Sequence, residues 1–191
     1  LVPLDRPGVT VRGFGRLDGD EGFAEVFFDE VLVTDDLVLG EVHEGWRVAM
    51  ATTGSERGLT LRSPGRFLAT AQRLVDLYRD LGDEADPALR GAVAQAVIDA
   101  EAYRLQTLQT VTRVTEGLPV GAESSLTKVF WSELDVRLHE LGLALLGPAA
   151  ELTDNGWMKG YEFALSGPIY AGTNEIQRNV IAERVLGLPR K

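Results

Sequence analysis

Residues 123–146 read ESSLTKVFWSELDVRLHELGLALL, and within them Leu126, Phe130, Leu134, Leu138, Leu141 and Leu145 recur at steps of four, four, four, three and four. Helical side chains three or four apart share a face, so the stretch is one long helix with a continuous apolar stripe. Gly147-Pro148 stops it, since proline lacks the N–H that the next turn needs. A stripe of this length must be covered by other helices, and the flanking sequence supplies them.

Upstream, Asp86-Pro87 is a helix start, with Asp as N-cap and Pro at the first helical position. Leu89, Val93, Val97, Ala100, Leu108 and Val111 then mark a face as far as about Glu116, and Gly117-Leu118-Pro119 ends it. An earlier helical stretch runs from about Trp46 to Leu81, with a kink or break expected at Ser63-Pro64-Gly65. Downstream, a connection from Asn155-Gly156-Trp157 to Gly167-Pro168 is expected to hold a short helix near Tyr161–Leu165. A last helix follows Thr173 through Ile176, Val180, Ile181 and Val185 to Gly187. Four long helices with short connections give a mainly α fold, an antiparallel four-helix bundle over residues 43–191.

Residues 1–42 carry a different period. Val9-Thr10-Val11, Phe23–Phe28 and Val31-Leu32-Val33 are the expected strands, with Gly19 and Gly22 bracketing a loop. Three short strands bury no core of their own, so they are expected to be the end of a larger β-domain.

The chain has 191 residues, 45% of them apolar and 25% charged, the balance of a folded globular protein. It has no cysteine, which excludes disulfides, thiolate nucleophiles and Cys-ligated zinc, and fits a cytoplasmic protein. A net charge of −10 argues against nucleic acid or an anionic membrane as partner, because both are bound by basic surface. No run approaches the about 20 apolar residues of a membrane span. Leu1-Val2-Pro3-Leu4-Asp5 has neither the basic stretch nor the apolar core of a signal peptide.

Chemistry concentrates at residues 167–179, GPIYAGTNEIQRN. A glycine-containing turn here feeds a helix start, where free N–H groups and the helix dipole favour an anion. Thr173 can cap that helix and still face a ligand; an ordinary capped terminal helix has the same local signature. His43 and His139 have no ligand-spaced carboxylates beside them and read as surface or core residues, and Trp46, Trp131 and Trp157 as packing residues. Ser124-Ser125 lacks the Gly-x-Ser-x-Gly setting of an elbow nucleophile.

As a whole, this segment resembles the C-terminal signature of acyl-CoA dehydrogenases, Tyr-x-Gly-Thr-x-Glu-Ile-Gln-Arg-Asn. Phe23–Val33 resembles the end of that family's β-domain, Gly45-Trp46-Arg47-Val48-Ala49-Met50 the start of its first C-terminal helix, and Ile181–Pro189 its close. These blocks fall in family order across nearly the whole chain. The resemblance implies FAD as cofactor, an acyl-CoA thioester as substrate, removal of its α-proton by a carboxylate and departure of a β-hydride to flavin N5. It also implies a homo- or hetero-oligomer, a dimer of dimers, with an electron-transfer flavoprotein as possible acceptor. Some actinobacterial relatives with an altered loop are steroid side-chain dehydrogenases that work as mixed tetramers.

In many members the base follows the Tyr of the terminal motif. That position is Ala171 here, which takes no proton. A second group in the family carries the base in a Glu-Arg pair on the first helix, and Ser55-Glu56-Arg57-Gly58 stands at the matching place. The resemblance thus makes Glu56 the candidate base and Arg57 the candidate beside the acyl site; a solvated charge pair has the same sequence. It likewise assigns Thr173 and Glu175 to the pyrophosphate and adenosine side of FAD, while a first-turn acid such as Glu175 is also favoured by the dipole alone. Arg79 and Arg90 flank the stretch matching the family's Arg-x-x-Phe-Gly, which reaches a neighbouring subunit's flavin. The Phe is missing, acids crowd that loop, and the Gly-Gly turn expected after the third helix is replaced by Leu146-Gly147-Pro148. Two alternatives stay open: a non-catalytic structural subunit, and an oxidase or biosynthetic desaturating relative.

Overall fold

The computed structural model describes residues 1–55, 63–152 and 155–190. Two units separate along the chain, Leu1–Ser55 and Glu56–Lys191.

In the first unit, β1 (Val9–Gly15) and β2 (Glu21–Phe28) form an antiparallel hairpin with Val9 opposite Phe28, Val11 opposite Val26 and Phe14 opposite Phe23. The Phe14 and Phe23 rings stack at 6.0 Å, and the Arg12 guanidinium lies 5.4 Å over Phe27. The connecting turn is tied by Arg16, which pairs with Asp18 at 3.0 Å and Asp20 at 3.2 Å. Val31–Val33, expected as a third strand, is irregular. Glu30 has a φ of 49°, which turns the chain out of the extended form. The Leu32 carbonyl then accepts from Arg6 Nη1 at 2.7 Å instead of from a neighbouring strand. α1 (Gly45–Ser55) follows, and its Trp46, expected to pack, is 76% exposed.

The second unit is helical. α2 (Pro64–Leu81) begins on the proline expected to interrupt the helical stretch. A 3-10 turn, Pro87–Leu89, is capped by Asp86, whose carboxylate accepts the Ala88 N–H at 2.9 Å, and leads into α3 (Arg90–Thr115). α4 (Ser124–Leu146) ends at Gly147, where the chain continues as a 3-10 turn. α5 (Gly156–Ala164) is capped by Asn155, which accepts the Met158 N–H at 2.7 Å. α6 (Asn174–Val180) runs on into a π turn at Ile181–Val185.

Phe67 of α2 meets the edge of Tyr103 of α3 at 4.9 Å, and Tyr103 stacks on Phe130 of α4 at 6.3 Å. The start of α2, the second half of α3 and the start of α4 are therefore level, as an antiparallel arrangement requires. The core joins Phe67 and Leu74 to Val93, Ala96, Ala100 and Tyr103, and these to Trp131, Leu134, Leu138 and Leu145. α3 buries small residues at steps of three and four (93, 96, 100, 103), whereas Val97, Leu108 and Val111, expected on the inner face, are exposed. Small inner side chains let α3 approach its neighbours closely.

α4 is the central rod. Its leucine face packs toward α2 and α3, while a second face of Ser125, Lys128, Ser132, Asp135, His139 and Gly142 is also buried. Contacts from α5 and α6 cover that second face. A Cβ at Gly142 would sit 2.3 Å from the Trp157 ring, and one at Gly160 2.3 Å from His139, so α4 and α5 touch where side chains are absent.

Candidate functional site

The turn before α6 is built by short-range hydrogen bonds. The Asn174 N–H donates to Pro168 O at 2.9 Å and closes the loop. Ala171 and Gly172 both take positive φ, 54° and 86°. At Gly172 the conformation excludes a side chain, since a Cβ would lie 2.4 Å from Gln177 Nε2. Ala171 holds its left-handed form at a cost on the order of 1 kcal/mol. Gln177 secures both residues: Nε2 donates to Ala171 O at 3.0 Å and Gly172 O at 3.4 Å. Its Oε1 is buried with no hydrogen-bond partner among the described residues, which costs a further ~1–3 kcal/mol. The molecule spends stability to keep this turn in one shape.

Thr173 closes the helix start, with Oγ1 accepting the Ile176 N–H at 3.4 Å and its carbonyl accepting the Gln177 N–H at 2.9 Å. Glu175, in the first turn of α6, is exposed. Its own backbone N–H and then the Thr173 hydroxyl hold its carboxyl below the usual range, with Arg178 and Lys128 adding to the effect. Thr173 and Glu175 thus stand on one turn.

Beneath them is a buried polar cluster. Lys128 is 1% exposed, and its Nζ donates to Asn174 Oδ1 at 2.7 Å. Ser132 Oγ donates to the same oxygen at 3.1 Å, and Asn174 Nδ2 donates to Glu133 Oε1 at 3.3 Å. Glu133 also pairs with Arg178. Burial pushes the Lys128 ammonium below its ordinary pKa, against the opposing pull of Glu175 and Glu133. Sequence reasoning passed over this cluster. Its signal was the row of polar and small residues on α4 at steps of three and four, parallel to the leucine stripe.

A second cluster lies further along the same face of α4. Asp135 accepts from Arg66 Nη2 at 2.9 Å, and His139 Nδ1 is 2.8 Å from the Asp135 carbonyl. Arg66 lies over Phe163 at 5.3 Å and Arg73 over Trp157 at 4.5 Å. These groups tie α2 and α5 to α4.

Arg79 and Arg90 are exposed, without an ion pair among the described residues, where α2 hands over to α3. Lys128 and Asn174 lie near the level of Tyr103 and Phe130, thirteen α3 positions from Arg90. At 1.5 Å per residue that is about 20 Å. The structure therefore brings Thr173 and Glu175 together and leaves Arg79 and Arg90 at the far end of the bundle. Glu56 and Arg57 lie outside the described residues. Among the described residues no group of three His, Asp or Glu could hold a metal ion, and no helix is long and apolar enough to cross a membrane.

Comparison with known proteins places this arrangement. Acyl-CoA dehydrogenase IpdE1 of Mycolicibacterium smegmatis is 39% identical over 196 residues, covering 100% of this chain and 49% of the relative. IpdE1 of Mycobacterium tuberculosis is 38% identical, covering 100% and 50%. The chain thus spans about half the length of the curated relatives it matches. Among solved structures, the Tcur3481-Tcur3483 steroid ACAD superposes with a TM-score of 0.86 at 24% identity, over 100% of this chain and 51% of that one. The ChsE4-ChsE5 complex of Mycobacterium tuberculosis gives 0.85 at 23%, over 100% and 52%. At these identities the two superpositions speak for the fold. Residues 43–186 match the family described as acyl-CoA dehydrogenase, C-terminal domain, and the chain belongs to the acyl-CoA dehydrogenase family.

Proposed function

We propose that this chain is the C-terminal part of a cytoplasmic acyl-CoA dehydrogenase subunit, residues 1–42 ending its middle β-domain and 43–191 forming its helical domain. The reaction is FAD-dependent α,β-dehydrogenation of an acyl-CoA thioester. The observation that carries the reading is the left-handed Ala171, a strained backbone position directly before Gly172, Thr173 and Glu175. Strain of this kind gathers where a ligand dictates backbone shape.

The donor set fits FAD. Thr173 offers a hydroxyl beside a helix start for a pyrophosphate, and the Glu175 carboxylate suits hydroxyl or amino donors on the adenosine side. Arg79 and Arg90 are exposed guanidinium groups of the kind that meets phosphate. Their distance of about 20 Å from α6, reckoned along α3, supports two half-sites serving two flavins, with Arg79 and Arg90 reaching one held mainly by a neighbouring subunit. FAD, when bound, supplies the hydride acceptor.

Glu56 is the proposed base. It takes the α-proton, the C–H electrons become the Cα=Cβ bond, and the β-hydrogen departs with its pair as hydride. Arg57, its neighbour in sequence, is the proposed substrate-side arginine, a cation of the kind that tunes a carboxylate. Ala171 leaves the alternative base position without a proton acceptor. Assembly is as a homo- or hetero-oligomer, a dimer of dimers. An exposed groove of about 360 Å³ between α3 and α4, with apolar residues such as Ala92, Leu141 and Ala144 on its floor and Gln95, Asp99, Arg137 and Glu140 also lining it, is consistent with it. An electron-transfer flavoprotein is the proposed acceptor of the electrons.

Glu56→Gln in the assembled protein should slow bleaching of the flavin by acyl-CoA about 10²–10⁴-fold, the usual worth of a positioned base. Unchanged bleaching removes Glu56 from the mechanism. Ala171 favours one other reading, a non-catalytic subunit of a heteromeric dehydrogenase. Flavin content of the purified assembly decides between them, since a purely structural subunit contributes no flavin.

A further inference from the structure

The terminal helix is attached in an unusual way. Most surface helices are held by an apolar stripe, but α6 buries only two side chains, Asn174 and Gln177, and both are polar. Ile176, its one large apolar residue in the first turn, is 54% exposed. Apolar packing tolerates sliding, whereas hydrogen bonds to a fixed point do not. The fixed point is the Lys128 ammonium. It reaches Asn174 from α4 at 2.7 Å, and Ser132 takes the second approach to the same oxygen at 3.1 Å. Asn174 lies between Thr173 and Glu175, so whatever places Asn174 places both neighbours.

We infer that Lys128 is a positioning residue for the cofactor: through Asn174 it sets the height and rotation of the α6 start, and so the presentation of Thr173 and Glu175. Lys128 itself is enclosed and acts through Asn174. Retaining a charged ammonium under α6 is costly in packing terms, and a Met of similar shape would fill the space without that cost. The lysine gives directionality that a methionine lacks. The inference rests on the FAD-dependent reading above.

Three variants of the assembled dehydrogenase test it: Lys128→Met, which keeps the stem and removes the charge; Asn174→Leu, which keeps the volume and removes the acceptor; and Asn174→Asp, which keeps an oxygen for Lys128. FAD affinity is measured by titration of the apoprotein, and backbone hydrogen exchange is read on the same apoprotein. Lys128→Met and Asn174→Leu should each weaken FAD binding at least ~10-fold and speed exchange at residues 174–177, with exchange in the middle of α4 unchanged. The double variant should be no worse than about threefold beyond the weaker single, because the two residues act as one unit. Asn174→Asp should bind FAD within about threefold of the unaltered protein. Turnover at saturating FAD should recover in both weakened variants. A folded Lys128→Met protein with unaltered FAD affinity overturns the inference, and so does a loss of affinity that comes only with faster exchange throughout α4. Unaltered protein that takes up no FAD overturns the dehydrogenase reading itself, an outcome separate from either.

Discussion

Protonation of His139 is opposed by its surroundings. Burial against Trp157 and the Gly160 backbone is the largest influence and lowers its pKa below the ordinary 6.5; Arg66 and Arg73 act the same way, while the Asp135 carbonyl and carboxylate oppose them. A carbonyl only accepts, so the ring carries its proton on Nδ1 and faces Gly160 with an unprotonated Nε2. The unfolded chain takes up a proton near pH 6.5. The native state resists until lower pH, so unfolding is favoured as acid is added, and the stability present above about 6.5 is lost as pH falls through the folded value. Urea unfolding at pH 7.5 and 5.5 should show a fall that His139→Gln flattens; an equal fall in both proteins rules His139 out as its source. In the sequence this residue reads as surface or core and not as a junction, because its partners Arg66, Asp135 and Trp157 come from three helices. The candidate site divides in the same way. Thr173 was readable as a cap from the local sequence, whereas Lys128 and Asn174 are 46 positions apart and meet only after folding.

At the scale of elements, the leucine spacing of α4 marked the helix and one of its two buried faces. The other was hidden because Ser125, Lys128, Ser132, Asp135 and His139 are side chains that usually face water. They are enclosed because α5 and α6 fold back across them, and each polar atom then needs a partner. On α3 the reverse error arose: Val97, Leu108 and Val111 look like core, but the inner line is the one that places Ala96 and Ala100 against α2 and α4. Close approach, not apolarity, selects those faces. The tightest instance is Gly142, and Gly142→Ala is expected to push Trp157 off α4 and destabilise the helical unit by about 1–3 kcal/mol, the usual penalty of overpacking. Chemical denaturation followed by tryptophan fluorescence would measure it. A neutral result would mean that α5 moves freely on α4, which the Arg73–Trp157 and Arg66–Phe163 contacts argue against.

Across the whole molecule, the two units differ in how their hydrogen bonds are protected. The helical unit encloses Phe67, Leu74, Ala100, Tyr103, Trp131 and Leu134 almost completely. In residues 1–52 no residue is buried, and Phe14, Phe23, Phe27 and Phe28 are all exposed despite forming the hairpin's two faces. A two-stranded hairpin is marginal in water, and its apolar faces mark it as a surface that further structure would cover. Amides of β1 and β2 in this 191-residue chain should therefore exchange with solvent roughly 10²-fold faster or more than those of α4 between Trp131 and Leu138. Adding urea should abolish the hairpin's protection well before the environment of Trp131 and Trp157 changes, since the core that holds those two rings is built from helical-unit residues. Equal protection of β2 and α4, lost together at one urea concentration, would show instead that the chain opens as one cooperative body.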